Sequence, residues 1–429
     1  MKYKRYPKYK DSGVEWIGEI PEEWEVRRLK YVFDIIKNGV WGTEPSQDNS
    51  NLICVRVADF NRNNSTVSLE NKTLRNIPKE QEEKCLLVNG DLLLERSGGG
   101  EKQPVGFTVI YNHNVKAVCS NFITRLKPKN EFHSGFLNFL FSSMYYNTQN
   151  VKYIKQTTGI QNLELEYLSQ SFFFPSYEEQ TQISEVLDKQ TTQFDELITK
   201  SKKQITLLEE KRQSMINQAV TKGLDPSVPM KDSGVEWIGE IPEGWEVKKL
   251  KFVTSCLDDK RIPLKADERN PGTFPYYGAS GIVDYVDDYI FDERLVCFSE
   301  DGENLRSRQL PISFIIEGKV WVNNHAHVLK PINYNHGFLV YFLNSINITP
   351  FLEGSTRSKL NQSSMNNIPL PNPPLPEQQQ IEDFLKKQTT QFDELITKSK
   401  KQITLLEEKR QALITAAVTG KIDVRGTVA

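Results

Sequence analysis

The residues best suited to polar chemistry in this chain fall in short loops between apolar runs. In the first half they are Arg56, Arg96, Ser97, Lys102, Gln103, Thr158, Gln161 and Asn162. In the second half they are Tyr277, Ser280, Arg306, Arg308, Asn324, His325, Arg357 and Lys359. A guanidinium presents a planar fork of donors, and an Asn or Gln amide presents donors beside an acceptor. Loops carried on a rigid scaffold are where such groups meet ligands. The run Ser97-Gly-Gly-Gly100 lets backbone approach a partner closely. The competing reading of each position is a solvated turn.

Catalytic patterns fail one by one. Gly98-Gly-Gly-Glu-Lys102 lacks the GxxxxGK[ST] spacing of a phosphate loop. Asp91 and Glu95 are four apart with no following Lys, a poor match for a metal-dependent nuclease. Asn372-Pro-Pro-Leu375 lacks the closing aromatic of the Asn-Pro-Pro-aromatic motif of amino-methyltransferases, and reads as a rigid connector. His325 and His327 are two apart and share a face if both lie in a strand, but no third ligand is evident. A histidine that contacts a nucleic acid or packs beside it is the better reading, and no metal is expected. The five cysteines are scattered without metal or redox spacing, which fits reduced thiols in a cytoplasm. The basic start MKYKRYPKYK has no apolar core behind it and reads as a solvated tail rather than a secretory signal. No apolar run reaches membrane-spanning length.

Two repeats must position these loops. Residues 189–213, KQTTQFDELITKSKKQITLLEEKRQ, recur unchanged at 387–411. They lack Pro and Gly and are rich in helix formers. Leu187, Phe194, Ile198, Ile205 and Leu208, with Phe392, Ile396, Ile403 and Leu406 in the copy, recur at three-, four- and seven-residue steps. That is a narrow apolar seam. Leu197, Leu207 and Ile216 widen it. A helix from Glu178 to Val220 would be roughly 60 Å long. Two like seams predict that the helices pack on each other, antiparallel. A second repeat occupies 10–30 and 231–251 with three differences, and its tryptophans, Trp16 and Trp24 with Trp237 and Trp245, are expected to anchor it against a domain.

The resulting plan is a tail and repeat block at 1–30, a variable domain at 31–177 and a long helix at 178–222. A linker and second block follow at 223–251, then a second variable domain at 252–376 and a second helix at 377–429. Short β-type runs separated by Gly, Asn and Pro fill both variable domains. The net charge of −2 does not advertise nucleic acid. Any such role must rest on clustered charge.

Taken together, FFFPSYEEQTQI (172–183), LPNPPLPEQQQI (370–381), YYGASGIVDYVDDYIFDERLVCFSEDG (276–302), VWVNNHAHVL (320–329) and the two-fold repeat resemble the specificity subunit of type I restriction-modification enzymes. The resemblance implies a mixed α/β, α+β fold. Two β-rich target recognition domains would be joined by two long helices in an antiparallel coiled coil with pseudo-two-fold symmetry. Each domain would read one half of an asymmetric, bipartite site on double-stranded DNA, with the loop residues above as its contacts. The helices would set the spacer and dock two methyltransferase subunits, and up to two restriction subunits would join. S-adenosylmethionine would belong to the methyltransferase, ATP and Mg to the nuclease, and this chain would bind no cofactor and catalyse nothing. The alternatives are a stand-alone methyltransferase or nuclease, and a protein-interaction scaffold.

Overall fold

The computed structural model describes residues 3–47, 51–157, 159–354 and 358–425. The chain divides into two compact units, Met1–Lys202 with Lys401–Ala429, and Lys203–Lys400. The long helices run Tyr177–Lys222 and Leu375–Val418, so each unit holds a part of both. Among the described residues no helix is long and apolar enough to cross a membrane.

In the first unit a six-stranded sheet runs in the order Phe33–Asn38, Ile123–Pro128, Leu92–Glu95, Thr108–Ile110, Thr66–Val67, Phe60–Asn61. Leu92–Glu95 is buried throughout and pairs antiparallel with strands on both sides. That is why it reads as an unbroken apolar run rather than an alternating one. Asn51–Val55 pairs parallel with Ala117–Cys119 in a second sheet. Helix Ser134–Tyr146 begins where His133 Nδ1 accepts the Phe136 N–H at 3.3 Å. It sinks Phe136, Leu137, Leu140, Phe141 and Met144 into one core with Leu92, Leu94 and Leu126.

The second unit repeats this plan. Thr254–Cys256, Ala326–Pro331, Leu295–Ser299 and Ser313–Ile316 form one sheet, and Gly281–Val286, Pro271–Gly278, Lys319–Val322 and Phe291–Asp292 another. Leu295–Ser299 is again the fully buried strand. The parallel pair is now Pro271–Gly278 with Lys319–Val322. Helix His336–Ser345 is capped by Asn335, whose Oδ1 accepts the Phe338 N–H at 2.7 Å.

Inside each unit the helix segments run antiparallel. In the first, Ile183, Val186 and Leu187 share a core with Ile414, Ala417 and Val418. In the second, Ile381 and Leu385 share one with Ile216, Ala219 and Val220. Each such aliphatic side chain contributes on the order of 1.5–3 kcal/mol by leaving water. Between these ends the seam is thinner. Ile198 and Ile396 are buried, at 7% and 8% exposure, while Phe194, Ile205, Leu208, Phe392, Ile403 and Leu406 are half-buried. Thr191 and Ser201, with Thr389 and Ser399, fill the remaining heptad positions and are buried as well. Leu197 and Leu207 do not widen the seam; at 49% and 51% exposure they face water, being one residue off the heptad stripe.

The repeat blocks anchor to the helix starts. Trp24 Nε1 donates to Glu179 at 3.4 Å, and Trp245 Nε1 to Glu377 at 3.0 Å. Both indoles are buried. The N-terminal tail is anchored at Tyr6, while Lys4, Arg5 and Lys8 stay exposed. Tyr6 is buried and donates to Glu179 at 2.7 Å, and Asp423 N donates to Lys4 O at 2.8 Å. Chain start and helix end therefore meet within the first unit.

Other local expectations change. The apolar run 85–88 has the letters of a strand, yet Lys79–Cys85 is a helix and 86–88 are irregular. The polar stretch 156–162 is part of a hairpin, Ile154–Thr157 against Ile160–Leu163, with Gly159 at φ +83°. Asn372 ends a strand paired with Glu246–Lys249, and the prolines after it lead straight into the long helix.

Candidate nucleic-acid interface

Three connections meet at one edge of each variable domain. In the first domain, Asn51–Val55 leads into Arg56-Val57-Ala58, and Leu92–Glu95 leads into Arg96-Ser97-Gly98. Ser120-Asn121-Phe122 links Ala117–Cys119 to Ile123–Pro128. Backbone bonds lock them together. Ser120 N donates to Val55 O at 2.9 Å, and Phe122 O accepts from Arg96 N at 2.8 Å and from Ser97 N at 3.1 Å.

The second domain builds the same edge with other side chains. Asn323 N donates to Tyr277 O at 3.0 Å, and Glu300 N to His325 O at 2.9 Å. So Gly278-Ala279-Ser280, Glu300-Asp301-Gly302 and Asn323-Asn324-His325 stand where the three connections of the first domain stand.

The first domain's candidates divide by what holds them. Arg96 is half-buried, with no ion-pair partner among the described residues. Arg56 is engaged by Asp59 at 3.0 Å, which takes up part of its fork. Ser97 Oγ donates to Asn162 Oδ1 at 2.6 Å, so this pair braces the loop. Lys102 and Gln103 are exposed at the tip of a loop closed by paired bonds between Gly100 and Gln103. Gly99, at φ +59°, tolerates no Cβ, which would lie 2.9 Å from Val105 N. Gln161 is buried and accepts from Val105 N at 3.3 Å, so it supports the loop from inside. Thr158 lies outside the described residues.

In the second domain Asn324 is exposed, and Ser280 is half-buried beside it in the edge. His325 is half-exposed and held by Asp301 at 2.9 Å through Nδ1. Tyr277 stacks on Phe314, ring centroids 5.7 Å apart. Lys359 pairs with Glu300 at 3.0 Å. Arg306 donates to Ser358 Oγ and to Gly354 O, which ties down the neighbouring loop. Arg308 sits in the left-handed region at φ +55° and donates to Asn344 O at 2.6 Å, away from the edge. Arg357 lies outside the described residues.

His325 and His327 do not share a face. His327 is buried, with Nδ1 2.5 Å from Asp258 Oδ2 and Nε2 2.7 Å from Leu360 O. Cys256 joins them, so the partners that sequence spacing did not offer lie about seventy residues upstream. A contact of 2.5 Å is a charge-assisted hydrogen bond. Two ligands of one tetrahedral ion stand roughly 3.3 Å apart, given metal–nitrogen bonds of about 2.0 Å. Arg261 bridges the carboxylates, 3.1 Å from Asp258 and 2.6 Å from Glu300. Burial pushes the Asp258 and Glu300 carboxyls up. For Asp258 the His327 contact, the Val328 N–H and Arg261 outweigh it; for Glu300, Arg261, Lys359 and the His327 charge do. Both carboxyls therefore sit below their ordinary range. This cluster lies directly beneath Glu300-Asp301 and Lys359.

Asp91 and Glu95 are equally inward-facing. Asp91 pairs with Arg125 and Glu95 with Arg62, each at 2.6 Å, and burial raises both carboxyls. Two carboxylates spent on separate arginines do not make a nuclease pair.

The family described as "Type I restriction modification DNA specificity domain" matches residues 21–207 and 242–405. The chain belongs to this family. It is a specificity subunit of a type I system with two recognition domains. It is similar to a putative type I restriction enzyme specificity subunit of Methanocaldococcus jannaschii, MjaX, with 26% identity across 95% of this chain and 96% of that one. A putative specificity subunit of Haemophilus influenzae, S.HindORF215P, is 37% identical over 152 residues, 35% of this chain and 39% of the other. Among solved structures, a chain of a type I R-M system superposes with TM-score 0.71 at 14% identity, over 93% of this chain and 98% of that one. The HsdS subunit from Thermoanaerobacter tengcongensis does so with TM-score 0.54 at 15% identity, over 96% and 100%. At such identities the likeness is one of fold. Of the second domain's edge, sequence reasoning named Ser280, Asn324 and His325; in the first domain it did not name Asn121 and Phe122.

Proposed function

We propose that this specificity subunit reads double-stranded DNA and does no chemistry of its own. Each recognition domain contacts one half of an asymmetric bipartite site. The observation that carries this reading is the edge built twice on one backbone plan, with Arg96 and Asn121 in one copy and Asn324 and His325 in the other. Identical edges would fit a symmetric site; unlike ones fit two different half-sites. Base edges in the major groove supply the pattern to be read, and phosphate contacts set register.

The long helices carry the partners. On this reading they dock two methyltransferase subunits, which hold S-adenosylmethionine and form N6-methyladenine. Up to two restriction subunits with ATP and Mg complete the assembly. The twice-repeated 25-residue helix sequence supports two copies of one partner, since it offers the same side chains twice. Helix length then enters the gap between half-sites.

The test is co-expression with a type I methyltransferase subunit, followed by genome-wide mapping of methylated adenine. A two-part motif with a constant gap is expected. The purified chain alone should transfer no methyl group. Robust transfer by the chain alone, or a complex with no motif, would overturn the proposal.

A further inference from the structure

Ser120-Asn121-Phe122 occupies the first domain's edge at the place where Asn323-Asn324-His325 occupies the second. Asn121 is exposed, and its amide has no hydrogen-bond partner among the described residues. Phe122 is 45% exposed, although its backbone oxygen is fixed by two N–H donors. With Asn121, Trp41, Val57 and Ala58 the ring lines a mainly apolar pocket that Arg56 borders. Trp41 is itself held by Arg75, whose guanidinium carbon lies 4.1 Å over the ring. Arg96, which has no ion-pair partner among the described residues, donates its own backbone N–H to Phe122 O at 2.8 Å.

We infer that Asn121 and Phe122 are specificity-determining residues of the first recognition domain, and that they read A·T pairs in its half-site. The inference rests on the DNA-reading function proposed above. A free carboxamide matches the acceptor and donor that adenine presents at N7 and N6 in the major groove. An exposed aromatic ring beside an apolar pocket suits the thymine 5-methyl group, the one apolar group there. Arg96, bonded to the link through its backbone, supplies positive charge suited to a phosphate. Arg56 is the poorer reader, because Asp59 already holds it.

The test uses the complex of this chain with a methyltransferase subunit, and compares methylation motifs of wild type, Asn121→Ala, Asn121→Asp and Phe122→Leu. All three changes are at exposed side chains, and circular dichroism with complex assembly checks that each variant folds. In the alanine and leucine variants one half of the motif should become degenerate at one or two adjacent A·T positions. Discrimination there should fall on the order of 10- to 100-fold. Asn121→Asp keeps an acceptor and loses the donor, so its position should shift towards cytosine. The other half-site should stay as it is. An unchanged motif in every variant overturns the inference, and so does a uniform drop in methylation with no change in sequence preference. If the wild-type complex itself yields no bipartite motif, the proposed function fails instead, so the two failures are told apart.

Discussion

Arg410 Nε stands 3.0 Å from Asp195 Oδ1. The same two positions of the repeat meet again with the helices exchanged, Arg212 Nε lying 3.1 Å from Asp393. As one residue number rises the other falls, which is the signature of antiparallel helices. The pairs close the heptad seam at either end, where Arg replaces the apolar residue.

The two pairs differ in exposure, and that decides their strength. Arg410 and Asp195 are 13% and 33% exposed, while Arg212 and Asp393 are 33% and 60%. Arg410 also donates to Asn63 O at 2.7 Å. Double-mutant cycles to alanine should give a coupling of about 0.5–1 kcal/mol for Asp195–Arg410 and close to zero for Arg212–Asp393. Native-state hydrogen exchange of the helix amides measures this without assuming that two units unfold in one step. Equal couplings would show that exposure is not what separates them.

The helices were legible because one sequence occurs twice, and a seven-residue stripe survives any uncertainty at the ends. Helix Ser134–Tyr146 and strand Leu295–Ser299 were legible for a similar reason, each being a strongly apolar run. Strand Pro271–Gly278 was not. It contains two Pro and two Gly, which normally mark turns, and is tolerated through register shifts in its pairing with Gly281–Val286. The site was half legible. Asn324 and His325 stood out as polar residues in an apolar neighbourhood. Phe122 looked like the first residue of the strand that follows it, so its exposure was hidden. The Cys256, Asp258 and His327 cluster joins positions that no local spacing connects.

That cluster gives the recognition domain a dependence on acid. Asp258 and Glu300 are held below the ordinary carboxylate range, so near pH 4 the folded state binds fewer protons than the unfolded chain. The stabilisation is complete above the ordinary carboxyl pKa of about 4 and is lost as pH falls through the lowered folded values. Asp258→Asn should cost roughly 3 kcal/mol at neutral pH, because Arg261 and His327 lose a buried partner. It should also flatten the acid limb of an unfolding titration below about pH 4. Parallel acid limbs in variant and wild type would refute the assignment.

Lys102 is exposed at a loop tip and has no ion-pair partner among the described residues. On the proposed DNA-reading function, a side chain placed there would meet a phosphate rather than a base. Lys102→Ala should therefore weaken DNA binding by the complex about equally on all sequences. It should reduce the slope of log K against log salt by about 1. Fluorescence anisotropy over a salt series measures both. A change in motif with an unchanged slope would make Lys102 a base reader.

Helix length is the last element that can be tested by construction. The seam repeats every seven residues, so seven inserted residues keep each apolar position on its stripe. Inserted at equivalent points of both helices, after Lys203 and after Lys401, they lengthen each by about 10.5 Å. That is close to three base pairs at about 3.4 Å each. The methylation motif of such a complex should keep the bases of both halves and gain about three unread positions in the gap. Insertion in one helix alone slips the seam, since the antiparallel partner no longer matches, and should abolish methylation. An active complex with both insertions and an unchanged gap would remove the helices from the control of spacing.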